Sequence, residues 1–173
     1  MGQYYKFIIL DKDNKSIVIY LNPHDFGSGA KLMENAYLDN PMIYTIEFLL
    51  SQNCIDFYKS YVVFAGDYAK PEKDKEENLY TLTDWHKSFE VKFENPNLNY
   101  IVNHTKKLYV DKTKLDNEIH PLLILISEGN ERGGGDYDGY NLKLAGTWAR
   151  NLISMESVKP DDYNELICNF EDY

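Results

Sequence analysis

Arginine is nearly absent from this chain. Of 18 basic residues only Arg132 and Arg150 are arginines, set against 28 Asp and Glu and a formal charge of -10. With so few clustered cations, neither a broad nucleic-acid footprint nor attachment to an anionic membrane is expected, because phosphate contacts need gathered Lys and Arg. Cysteine is as rare. Cys54 and Cys168 stand alone with no CxxC spacing, so they read as free thiols of a reducing compartment and not as a disulfide framework. The four histidines show no HxH or HxxxH spacing, so no metal is expected, and no cofactor motif is present. No apolar run approaches the ~20 residues of a membrane span. The first residues lack the charged start and apolar core of a signal peptide, and a soluble, cytoplasmic protein is expected.

What is abundant bounds the fold. At 43% hydrophobic and 14% aromatic residues, 173 residues suffice for one domain with its own core. Tyr4 to Leu10 and Ser16 to Leu21 are aromatic and β-branched around a polar turn, which predicts an opening hairpin. A helix is expected from about Gly29 to Leu38. A firmer one starts at Asn40-Pro41, where Met42, Ile43, Ile46, Leu49 and Leu50 form an apolar stripe. Tyr61 to Ala65 predicts a central strand, and 70–78 a charged surface loop. Trp85 is expected to be packed. Asn99 to Val102 and Lys107 to Val110 predict paired strands, Pro121 to Ser127 a central strand, and Leu142 to Met155 further strand. The spacing of Tyr163, Leu166, Ile167 and Phe170 predicts a last helix from about Pro160 to Asn169. Hairpins without βαβ alternation give a single α+β domain over 1–173, a mostly antiparallel sheet covered by helices.

Glycine is concentrated where chemistry is most plausible. Five of ten glycines lie between Gly129 and Gly139, directly after the most apolar run. Gly133, Gly134 and Gly135 can turn backbone N–H groups toward an anion, with Asn130, Arg132 and Asp136 beside them. The same residues also suit a sharp hairpin turn. Neither a GK[ST] ending nor GxGxxG is present, so the loop is neither a Walker loop nor a dinucleotide fingerprint. Arg150 follows Trp148 by two positions. Strand alternation would put both on one face, as a stacking platform beside a guanidinium, or as a core Trp beside a structural ion pair. His24 and Asp25 sit in a Gly-rich turn entering a helix, where an anion is favoured. As acid–base candidates the chain offers His24, His104, Asp67, Glu128 and Asp136, the carboxylates at strand or loop ends.

Met1-Gly-Gln-Tyr-Tyr5, His24-Asp-Phe-Gly27, Gly29-Ala-Lys-Leu-Met-Glu34, Ala65-Gly-Asp-Tyr68, Gly129-Asn-Glu-Arg-Gly-Gly-Gly-Asp-Tyr-Asp-Gly139 and Trp148-Ala-Arg150 together resemble an uncharacterised family of small phage, large-DNA-virus and microbial proteins. The resemblance spans most of the chain and brings no established activity. It implies an accessory viral role in an infected cell, counter-defence included.

The function expected from these residues is binding of a small anionic, nucleotide-like ligand. Its site would gather His24, Asp25, Asn130, Arg132, Gly133 to Gly135, Asp136, Trp148 and Arg150, and the biological version would be sequestration of a host signalling nucleotide in the host cytoplasm. A hydrolase of phosphoesters or glycosidic bonds is the first alternative. An acidic interaction module is the second, drawing on a tail in which Glu156, Asp161, Asp162, Glu165, Glu171 and Asp172 face only Lys159.

Overall fold

A computed structural model describes residues 2–130 and 136–171. The opening hairpin forms as its pattern predicts. Strand β1 (Tyr5–Leu10) pairs antiparallel with β2 (Ile17–Leu21) on one side and with β3 (Ser60–Gly66) on the other. The sheet continues through β7 (Leu152–Glu156), β4 (Tyr100–Asn103), β5 (Leu108–Asp111) and β8 (Asn164–Glu165), with the two-residue β6 (Ser127–Glu128) lying parallel to β3. Among the described residues the strands pair antiparallel except β3 with β6 and β5 with β8.

The period of two sorts the strands' side chains onto two faces. Phe7, Ile9, Val62, Phe64, Ile101, Val110, Ile153 and Met155 share one core with Met42, Ile43, Ile46 and Leu49 of helix α2 (Pro41–Leu49) and with Leu122 to Leu125 of helix α4 (Pro121–Leu125). Each such large side chain contributes about 1.5–3 kcal/mol when fully withdrawn from water. Ile8, Leu10, Val63 and Ala65 point the other way and meet Leu79 of α3 (Leu79–Leu82). The class is α+β, one domain with a mostly antiparallel sheet and, among the described residues, four short α-helices.

Helix α2 starts as expected, Asn40 accepting hydrogen bonds from the Met42 and Ile43 amides and Pro41 filling the first position. Five expectations are corrected. The run from Pro121 is helix α4 before it is strand. His120 caps it by accepting the Leu122 amide at Nδ1, and a short run buried on every side gives no period to separate the two states. The helix near 29–38 shrinks to α1 (Leu32–Asn35). The 160–169 helix does not form. Asp162 takes a left-handed φ of 62°, and the chain instead adds β8 to the open edge of β5, leaving Ile167 66% exposed. Residues 146–150 are turns, and Trp85, expected to be packed, is 79% exposed.

Candidate functional site

Strand β3 changes partner along one edge. Ser60 and Tyr61 face Ile153 and Leu152 of β7, whereas Phe64 and Ala65 face Ser127 and Glu128 of β6. Arg150 occupies the junction at a φ of 65°, its amide donating to Val62 O at 2.7 Å while the Val62 amide reaches Asn151 O. This backbone conformation is uncommon for a residue with a side chain, and here it directs the guanidinium toward the ends of β3 and β6.

There Arg150 is gripped from two sides. Nε donates to Glu128 Oε2 at 2.9 Å and Nη2 to Glu128 Oε1 at 2.7 Å. Nη1 donates to Glu72 Oε2 at 2.9 Å and Nη2 also to Glu72 Oε1. Burial alone would lower the affinity of the guanidinium for its proton, but the bonds to Glu72 and Glu128 outweigh it and raise the pKa above its ordinary value. Two forks use four N–H groups of a side chain that has five, so Arg150 keeps at most one for an incoming phosphate. Its first task is to tie the 70–78 loop to the sheet. That loop is braced further by Asn78, whose Nδ2 donates to Asp67 O and Ala69 O.

A cleft of about 480 Å³ opens between this loop and the β1–β2 turn, lined by Asn14, Lys15, Ser16, Glu72, Lys73, Asp74, Lys75 and Arg150. Lys15, Lys73 and Lys75 thus stand against Asp74, while Arg150 is already matched by Glu72 and Glu128, which leaves a small local excess of positive charge on an acidic chain. Asn14 joins the two walls by donating from Nδ2 to Arg150 O at 3.0 Å. The exposed charges of the loop were visible in the sequence. Their meeting with Lys15 and Arg150 was not, because it depends on the partner change of β3.

The other expected residues that the structure describes are dispersed. Trp148 is 1% exposed and belongs to the core, so it offers no face to a planar base. His24 is exposed in the turn Pro23–Phe26, and the backbone bonds of His24 and Asp25 stay within that turn. Asp67 closes the end of the sheet, accepting from the Tyr4 amide at 3.0 Å. Asp136 accepts from the Gln3 amide and from Gln3 Nε2, while its own amide donates to the Tyr5 hydroxyl, so it pins the N-terminal segment. Asn130 is exposed. Arg132, Gly133, Gly134 and Gly135 lie outside the described residues.

His104 stands apart from the Arg150 cleft, in a chain of hydroxyls unseen in the sequence. Its Nε2 lies 2.7 Å from Ser154 Oγ and its Nδ1 2.9 Å from the Tyr163 hydroxyl. Ser154 donates onward to Glu156 Oε1 at 3.2 Å, and Tyr58 donates to the same oxygen. One tautomer satisfies the chain: Tyr163 donates to Nδ1, and Nε2–H donates to Ser154. Burial, with the charge of Lys59, pushes the imidazole down to about 4, so it is neutral at physiological pH. Ser154 itself is buried.

Among the described residues no group of three or more His, Cys, Asp or Glu is arranged to hold a metal ion, and no helix is long and apolar enough to cross a membrane. No protein-family description, no curated protein and no solved structure matches the chain.

Proposed function

We propose that this chain is a binding protein for a small phosphorylated, nucleotide-like ligand whose phosphates lie in the Lys15–Lys73–Lys75 cleft. The observation that carries the reading is the local reversal of charge, three lysines around about 480 Å³ on a chain of net charge -10. The volume falls within the range of small-molecule sites, and a concave wall concentrates the field of its lysines. The division of labour differs from the expected one. Arg150 holds the walls together, and the lysines, with three donors each and no fixed geometry, take the anion. Among the described residues the lining contains no aromatic side chain, so recognition in the cleft is of the phosphate end. In the viral setting that the sequence resembles, the ligand would be a signalling nucleotide withdrawn from the host cytoplasm, which is also where the chain would act.

A thermal-shift panel of nucleoside mono-, di- and triphosphates, pyrophosphate and nucleosides tests the reading. Stabilisation should grow with phosphate number, fall as salt is added, and weaken in Lys73→Gln/Lys75→Gln. Absence of stabilisation by every phosphorylated member would sink it. Mass analysis of the recovered nucleotide separates binding from the hydrolase alternative.

A further inference from the structure

We propose that the groove on the other side of the β1–β2 turn is a second binding site, for a small aromatic carboxylate. Its volume is about 260 Å³, which suits a single ring and its substituents. Val18 and Leu152 line it with apolar surface, and Tyr58 and Tyr61 add aromatic surface. Lys12 and Lys59, both exposed, bring ammonium groups to the same groove. Of the two carboxylates in the lining, Asp11 keeps its charge but is turned into the hairpin, accepting the Lys15 and Ser16 amides, so Asp56 is the one that faces the two lysines. An apolar body with one negative charge complements this lining better than a polyanion does.

Two features mark the groove as built. Lys59 sits at a left-handed φ of 58°, a conformation that glycine would adopt at lower cost, yet the position carries a lysine, with its ammonium 5.9 Å from the Tyr58 ring centre. Tyr58 is fixed by its bond to Glu156, the end of the chain Glu156–Ser154–His104–Tyr163. His104 is faced by Ser154, by Tyr163 and, through Ser154, by Glu156, with Lys59 as the cation that acts on it. A carboxylate settling on Lys59 therefore reports itself at His104, whose ring becomes easier to protonate.

The test uses the whole chain, para-hydroxybenzoate as probe and phenol as the uncharged control, followed through the histidine ring signals by NMR. A probe of this size is expected to bind saturably in the low millimolar range, to move the His104 signals and raise that residue's pKa, and to bind about tenfold more weakly to Lys59→Gln. Phenol should leave the His104 pKa unchanged. A variant lacking the cleft lysines, Lys15→Gln/Lys73→Gln/Lys75→Gln, should bind the probe as the unmodified chain does, so failure here is distinct from failure of the phosphate cleft. No saturable shift, or equal binding by Lys59→Gln, overturns the proposal.

Discussion

Arg150 and Glu128 form a two-point ion pair, Nε to Oε2 at 2.9 Å and Nη2 to Oε1 at 2.7 Å, across the seam where β3 passes from β7 to β6. Glu72 grips the other side of the same guanidinium, so one residue joins two strands and a loop. Arg150→Ala removes the cation that both carboxylates share and is expected to cost about 1.5–3 kcal/mol of stability, the range for losing charged hydrogen bonds in a half-buried cluster. Arg150→Lys keeps the charge but loses the fork, and should recover only part of the loss. Urea unfolding of the two variants measures both, and a loss below about 1 kcal/mol for Arg150→Ala would show the pair to be peripheral.

Acid should weaken the fold before the carboxylates titrate. His104 is held down to about 4 by burial and by Lys59. His120 is held below its ordinary value by full burial, its Nδ1 accepting the Leu122 amide while Nε2–H donates to Glu47. Both are lower in the folded chain than when unfolded, so the unfolded chain binds more protons between the two values, and stability falls as pH drops below about 6.5. Burial pushes the Glu47 carboxyl up, but the hydrogen bonds from His120 and Lys112 hold it below its ordinary value, which adds a further loss at lower pH. Unfolding curves from pH 7 to 4 should show this decline, and His104→Gln should flatten the first part of it. A flat profile would mean that folding lowers the pKa of neither ring.

The two tryptophans should behave oppositely. Trp148, in the main core, should cost about 3–5 kcal/mol on replacement by Ala. Trp85, exposed in the 3-10 turn that follows α3, should change stability by less than about 0.5 kcal/mol. Emission of the native chain should combine a buried and a solvated component, and Trp85→Phe should remove the red one.

How far the sequence could be read follows from what each signal encodes. The β1–β2 hairpin and α2 carry their own punctuation, a polar turn in one and an Asn-Pro start in the other, and both form where predicted. Pro121 to Ile126 carries the same Pro start, yet its uniform apolarity hid a helix behind a strand-like composition. The last segment has helical spacing, but a free edge on β5 offered backbone partners that periodicity cannot register. Arg150 stood out by scarcity alone. That its partners are Glu72 and Glu128 depends on three segments meeting at one seam, and nothing local to any of them announces it. The lysines of the cleft looked like ordinary solvated charge for the same reason.

The two thiols should also differ. Burial pushes Cys168 up to about 12, and it is almost inaccessible, whereas Cys54 is half-buried. A thiol reagent should modify Cys54 first in the native chain and reach Cys168 only on unfolding. Equal rates under native conditions would contradict the packing around Cys168.

The central claim concerns the cleft between the β1–β2 turn and the 70–78 loop. Titration calorimetry with a nucleoside triphosphate, on the unmodified chain and on Lys15→Gln/Lys73→Gln/Lys75→Gln, tests it most directly. The account predicts saturable one-to-one binding that weakens as salt rises and is reduced at least about tenfold in the variant. Binding of equal strength in both proteins, or no saturable heat in either, would contradict it.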